Sequence, residues 1–177
     1  MRYNHQMKYC LPIFLAFFIS LNVSCTSKEK NVNTTIEILD QFSELQAIID
    51  AGDHDVLVLN FWSTTCAPCL KEMPHFNKLN AEYQSRKVKI ILVSLEKAKR
   101  LDSHIYPFVK KLGIIPEVAV LTDPNYNIWT DKIDTSWYGA LPATLILKGE
   151  QRKFRFGSYE SYEELQADVD GLLVKSN

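Results

Sequence analysis

Two cysteines separated by two residues stand where an apolar run meets an amphipathic segment. The run Val56–Phe61 (VLVLNF) is typical of a central strand that is covered on both faces. Cys66 and Cys69 follow it closely. The segment after them has an apolar side at helical spacing, formed by Leu70, Met73, Phe76, Leu79 and Tyr83. A strand followed by a helix that starts at a pair of thiols predicts an α/β fold with the dithiol at the end of a strand.

Strand and helix patterns alternate along the rest of the chain. Further strands are predicted at Thr35–Leu39, Val88–Leu95, Glu117–Leu121, Ala143–Leu147 and Gln151–Phe156, the last two joined as a hairpin. Helices are predicted at Phe42–Ala51, with a capping box at Ser43 and Gln46, at Leu101–Leu112, after Asn125, and from Ser161 onward. This alternation predicts a sheet with helices on both faces.

The first residues have the pattern of a signal peptide. Met1–Lys8 contains two basic residues and no acid, and Leu11–Leu21 is an apolar run. A membrane-spanning helix needs roughly 20 apolar residues, so the shorter run favours a signal-peptide core. We therefore expect residues 1–24 to be a signal peptide, with a membrane anchor or a buried helix as the alternatives.

Cys25 directly follows the small residue Ser24, as in the cleavage site of a bacterial lipoprotein. Asn22 departs from that pattern, since an aliphatic residue is usual three positions before the cysteine. We expect Cys25 to be lipidated and residues 25–35 to form a flexible polar tether, with a soluble exported product as the alternative. Residues 36–177 would then form the folded domain of a membrane-anchored lipoprotein facing the periplasm or the cell exterior.

The charge and the histidines argue against two classes of function. The chain has 20 basic and 21 acidic residues, so no overall positive charge points to nucleic acid. The four histidines, His5, His54, His75 and His104, show no metal-site spacing, and no metal or other cofactor is expected. A structural disulfide between Cys66 and Cys69 stays open as an alternative, although so small a loop would stabilise the fold little.

The position of the dithiol at the start of a helix favours redox chemistry. Unpaired N–H groups and the helix dipole stabilise a thiolate there, so we expect the pKa of Cys66 to lie below ~8.5. Cys69 lies one turn later on the same side, where it can attack the sulfur of Cys66 and resolve a mixed disulfide. Pro68 falls within the first turn and costs no helix hydrogen bond.

Two segments resemble the thioredoxin-fold proteins of the TlpA/ResA-like thiol-disulfide oxidoreductase family. Residues 61–74 (FWSTTCAPCLKEMP) resemble the active-site segment, and residues 139–147 (GALPATLIL) resemble the cis-proline loop and the strand after it. The resemblance extends from about Thr35 to the C-terminus. It implies a thioredoxin-like fold with a central mixed sheet, helices on both faces, and a C-terminal β-hairpin and helix.

The resemblance also implies roles for individual residues. It implies that Cys66 and Cys69 form a redox-active disulfide, and that a cis bond at Pro142 presents the backbone of Leu141 to a substrate chain. Asn60 stands where thioredoxin has a buried aspartate, and Glu72 resembles the carboxylate that replaces it as a base in the family. Trp62 is a candidate for lining a partner groove, with core packing as the alternative.

The function implied is disulfide exchange with protein thiols and disulfides, and reduction is the favoured direction, as in cytochrome c maturation or disulfide repair. An upstream membrane or exported electron donor would supply electrons.

Two other functions stay open, a peroxiredoxin-like thiol peroxidase and a thioredoxin-fold copper delivery protein. The former would need a Pro-x-x-x-Thr-x-x-Cys motif, which residues 59–66 lack, and the latter usually has a CxxxC pair with a distant histidine. Thr65 stands where many relatives have tryptophan, which leaves the choice of partner open.

Overall fold

The computed structural model describes residues 36–174, in which six strands alternate with helices except at one hairpin. The strands are β1 (Ile36–Leu39), β2 (Val56–Trp62), β3 (Val88–Ser94), β4 (Glu117–Leu121), β5 (Ala143–Lys148) and β6 (Gln151–Phe156). They lie in the order β1-β4-β3-β2-β5-β6. The first four strands in this order are parallel, whereas β5 runs antiparallel to both β2 and β6. The prediction of a mixed sheet that ends in a hairpin is confirmed.

Within residues 36–174, five α-helices cover the two faces of the sheet. They are α1 (Phe42–Asp50), α2 (Ala67–Tyr83), α3 (Tyr106–Leu112), α4 (Tyr126–Ile133) and α5 (Tyr162–Leu173). Apolar side chains of α2, α3 and α5 share one core with the sheet, and those of α1 and α4 share the core on the opposite face. This is the arrangement of a thioredoxin-like α/β fold.

Strand β2 is buried on both faces because its side chains alternate between the two cores. Val56 and Val58 lie in the core with α2, whereas Leu57 and Leu59 lie in the core with α1. The alternation explains why the strand reads as a continuous apolar run. Asn60 has the same parity as Val58 and therefore faces α2.

Helix α1 begins differently from the prediction. Its first residue is Phe42, so Ser43 lies inside the first turn and cannot cap the helix. The backbone N–H of Gln41 instead donates to the Glu44 carboxylate at 2.9 Å, and the N–H of Phe42 donates to Asp123 at 2.9 Å. The predicted capping box at Ser43 and Gln46 is wrong, because the cap comes in part from a residue beyond β4.

The predicted helix over residues 101–112 is divided into two pieces. Leu101–Ile105 forms a single wide π turn, closed by the N–H of Tyr106 on the carbonyl of Leu101, and α3 follows it. Pro107 has no N–H to continue the α-helical ladder, which explains why regular geometry begins only beside it. Gly113 ends α3 with a φ of 58°.

The expected signal peptide, lipidated Cys25 and tether lie outside the described residues. Within residues 36–174, no helix combines the length and the apolar character needed to cross a membrane.

Candidate active site

Cys66 occupies the N-cap position of α2, at the end of the loop that leaves β2. Its backbone is extended, and its Sγ accepts a hydrogen bond from the N–H of Cys69 at 3.3 Å. The carbonyl of Cys66 accepts the N–H of Leu70 at 3.2 Å. Cys66 and Cys69 are joined by a disulfide. When the pair is reduced, the same N–H group and the helix dipole favour the thiolate form of Cys66.

The two sulfurs have different surroundings. Cys66 is half-buried, and its neighbours Thr65, Ala67 and Pro68 are exposed. Cys69 is 0% exposed and belongs to the core beneath α2. A partner can therefore approach Cys66 from solvent, whereas Cys69 has no exposed surface.

A buried carboxylate fixes the loop before Cys66. Glu96 follows β3 and is 8% exposed. The Glu96 carboxylate accepts hydrogen bonds from the hydroxyl of Thr64 at 2.8 Å and from the backbone N–H of Thr64 at 3.2 Å. It also faces Nε of Arg100 at 3.3 Å. Sequence reasoning missed Glu96, although an acid directly after an apolar strand at the dithiol end of a parallel sheet was a usable signal.

Glu72 is 0% exposed and lies one turn after Cys69 on α2. Its carboxylate accepts hydrogen bonds from Nδ2 of Asn60 at 2.9 Å and from the backbone N–H of Tyr159 at 2.8 Å. Asn60 also donates to the hydroxyl of Thr144 at 3.1 Å. Two separate segments, β2 and the loop before α5, thus donate to one helix residue, and β5 joins the network through Asn60. No local sequence pattern could have revealed Tyr159, which lies 87 residues from Glu72.

Burial dominates the electrostatics of Glu72. Loss of hydration raises its pKa from 4.5 to about 7, although the two hydrogen bonds and the charge of Arg155 act in the opposite direction. A carboxyl group with this pKa is partly protonated near neutral pH. It can therefore either accept or release a proton beside the dithiol.

The loop before β5 lies at the same end of the sheet as the dithiol. Ala143 is opposite Phe61 in the register of β5 with β2, so Leu141 and Pro142 lie next to the residues that leave β2. The Leu141–Pro142 peptide bond is cis, as the resemblance implied. Leu141 is half-buried, and the carbonyl of Pro142 accepts the N–H of Gly157 at 3.0 Å.

Trp62 does not lie at the surface. Its side chain is 0% exposed and packs beside Phe108, with ring centroids 6.4 Å apart. The expectation that Trp62 lines a partner groove is therefore wrong for this state, because β2 directs this side chain into the core beneath α2 and α3. Within the described part of the chain, no cluster of three or more potential metal ligands occurs.

The AhpC/TSA family model matches residues 33–152 of the chain. A thiol-disulfide oxidoreductase ResA from Halalkalibacterium halodurans is 33% identical over 120 residues, covering 67% of this chain and 61% of that protein. The thioredoxin-like protein YneN from Bacillus subtilis is 31% identical over 100 residues, covering 50% of this chain and 58% of that protein. The chain thus spans about three fifths of the length of these curated relatives.

Solved structures share the fold at lower identity. A thioredoxin-related protein from Neisseria meningitidis serogroup B has a TM-score of 0.60 at 22% identity, covering 69% of this chain and 87% of that one. A putative thiol:disulfide interchange protein DsbE from Chlorobium tepidum has a TM-score of 0.56 at 22% identity, covering 71% and 84%. These similarities show a thioredoxin-like fold.

The pKa of Glu72 predicts a pH-dependent stability. Its value is about 7 in the folded chain against an ordinary 4.5, so ionisation of Glu72 opposes folding. Relative to the Glu72→Gln variant, the parent should lose about 3 kcal/mol of unfolding free energy as pH rises from below 4.5 to above 7. Chemical unfolding of both oxidised proteins across this range measures the difference.

The Glu150→Gln variant is the control for loss of one carboxylate, since Glu150 lies exposed on the turn between β5 and β6. The unfolding free energy of this variant should change with pH in the same way as that of the parent. If Glu72→Gln also runs parallel to the parent, Glu72 is ionised at the same pH in the folded and unfolded chains and its burial has no effect on proton binding.

Proposed function

Since this chain belongs to the AhpC/TSA family of thioredoxin-fold proteins, we propose that it exchanges disulfides with other proteins through Cys66 and Cys69. One observation carries the proposal: the two cysteines form a disulfide at the N-terminus of α2, with Cys66 accessible and Cys69 buried. This geometry suits one sulfur for attack and the other for resolution. Some relatives have the name thiol-disulfide oxidoreductase, which supports the same activity.

The reduced pair would act in two steps. The Cys66 thiolate attacks a substrate disulfide, a mixed disulfide forms, and one substrate thiolate leaves. Cys69 then loses its proton and attacks the sulfur of Cys66, which releases the second substrate thiolate and closes the Cys66–Cys69 disulfide. Two electrons pass from the protein to the substrate, and the reverse sequence would oxidise a substrate dithiol.

Glu72 is the candidate base for the second step. Cys69 is buried, so its proton has no direct route to bulk water. Glu72 lies three residues further along the same helix, where side chains are neighbours, and its raised pKa suits proton transfer near neutral pH. Asn60 is an amide and cannot take this proton.

Substrate recognition would use the backbone of Leu141 beside Pro142. An extended substrate segment could pair with this backbone as an added strand. We propose reduction as the physiological direction, with electrons supplied by a membrane or exported donor. Cytochrome c maturation and disulfide repair are the candidate roles, by resemblance to the family.

The proposed location rests on the sequence before the described residues. We propose that residues 1–24 are a signal peptide, that Cys25 is lipidated, and that residues 25–35 tether the domain of residues 36–177 to a membrane. Export would place the dithiol in a compartment where disulfides persist.

The division of roles between the sulfurs predicts different trapping by the two single variants. Cys69→Ser should accumulate mixed disulfides between Cys66 and substrate proteins, because the resolving sulfur is absent. Cys66→Ser should accumulate few, because Cys69 is buried. Non-reducing electrophoresis with mass spectrometry of the trapped species measures both.

Equal trapping by the two variants would contradict the assignment of attacker and resolver. The peroxidase alternative makes a different prediction. Under that alternative, the reduced parent would consume hydrogen peroxide faster than it reduces a protein disulfide, and Cys66→Ser would abolish the consumption.

The proton route predicts a kinetic defect in Glu72→Gln. The variant keeps the side-chain length but removes the base, so release of the mixed disulfide should slow on the order of 10²-fold near neutral pH. Stopped-flow measurement of the resolution step across a pH series would detect the loss, together with a changed pH dependence. Unaltered resolution at every pH would exclude Glu72 as the base.

Lipidation predicts the behaviour of Cys25→Ser. This variant should be released from the membrane fraction, with its Cys66–Cys69 chemistry unchanged in vitro, since Cys25 precedes the folded domain. Fractionation of cells that express each form measures the distribution. Continued membrane association of Cys25→Ser would mean that the apolar run Leu11–Leu21 is itself the anchor.

A further inference from the structure

A cavity of about 310 Å³ lies directly beside the loop that leads to Cys66. Thr64 and Thr65 line one side of it, and Lys111 and Phe108 of α3 line another. Consecutive Cα atoms are about 3.8 Å apart, so the wall formed by Thr65 is next to the residue that carries the proposed attacking sulfur. The cavity is therefore within reach of a substrate chain bound to Cys66.

Basic side chains surround the cavity. Arg100, His104 and Lys111 all line it, and none of the residues lining it within the described chain is acidic. The segment 96–111 contains five lysine or arginine residues and two acidic ones, in a chain whose formal net charge is −1. One of those two acids, Glu96, is nearly buried beneath Arg100 and Thr64. The surface beside the dithiol is thus more positive than the chain as a whole.

Contacts within the protein fix part of the cavity lining. Glu96 contacts Arg100 and also accepts two hydrogen bonds from Thr64, so one buried carboxylate joins both sides of the cavity. Phe108 is half-buried against Trp62, which supports it from the core. The side chain of Lys111 forms no ion pair with another residue of the range 36–174 and is free to meet an external carboxylate.

We propose that this cavity binds an acidic side chain of the protein substrate, located next to the cysteine that Cys66 attacks. Phe108 and Pro107 would contact the aliphatic part of that side chain, and Lys111 would attract its carboxylate, since the charge of Arg100 is already paired with that of Glu96. This inference rests on the proposed disulfide exchange and adds a substrate preference to it. Substrates with an acidic residue beside the reactive disulfide would react faster than otherwise identical neutral ones.

The test uses two disulfide-bonded peptides that differ only in glutamate or glutamine next to the reactive cysteine. The reduced parent should react with the glutamate peptide about threefold faster in kcat/KM, as expected for a partly exposed ion pair. Lys111→Gln should reduce this preference, and added salt should weaken it in the parent.

Lys110→Gln is the matched control. Lys110 is the preceding exposed residue of the same helix and does not line the cavity, so the variant removes the same charge from nearly the same place. It should keep the preference of the parent. An equal loss in Lys110→Gln and Lys111→Gln would overturn the cavity proposal in favour of general electrostatic steering.

A binding measurement separates this inference from the proposed function. Peptides with serine in place of both cysteines cannot react, and their binding is followed by chemical-shift changes at Thr65 and Phe108. Preferred binding of the glutamate form without any disulfide exchange by the reactive peptides would retain the cavity site and reject the proposed function. Exchange with both reactive peptides at equal rates would reject the cavity proposal and leave the proposed function intact.

Discussion

The Glu72 carboxylate loses its water on folding, and the protein replaces that hydration with donors from distant parts of the chain. One donor is Asn60 in the central strand, and the other is the backbone of Tyr159 before the last helix. Any shift of α2 would remove a donor from a buried carboxylate, which is costly. The contacts that hold Glu72 therefore also fix the helix that carries Cys66 and Cys69, and the placement of both sulfurs depends on this network.

Strand β2 is the second element on which the position of the site depends. Its alternating side chains enter both cores, and the strand is hydrogen-bonded to β3 and β5 on its two sides. The loop to Cys66 leaves its end, Glu96 follows the neighbouring β3, and Pro142 precedes β5. The ends of these three neighbouring strands lie at the same end of the sheet, which is why residues far apart in sequence form one site.

The sequence predicted the parts of this arrangement that are local. Apolar runs revealed β2 and β3, the residue spacing after Cys69 revealed α2, and two motifs identified the fold by resemblance. Contacts between distant segments could not be predicted from local sequence patterns. Asp123 caps α1 from 81 residues away, and Tyr159 reaches Glu72 across 87. The sequence could not decide between a partner groove and the core for Trp62, because an aromatic residue beside a site has no local signal for the direction it faces.

The two cysteines are separated by two residues and differ in environment because α2 begins between them, at Ala67, and directs Cys69 into the core. Cys66 caps the helix, where N–H groups and the helix dipole favour a negative sulfur. Cys69 lies one turn further along the helix, and its side chain is 0% exposed. The buried carboxyl group of Glu72 is on the same helix. Burial and a neighbouring carboxylate both disfavour a thiolate, so an attack by Cys69 in the proposed exchange would need a base. The geometry of one helix end thus accounts for one accessible sulfur and one buried sulfur, the arrangement on which the proposed disulfide exchange depends.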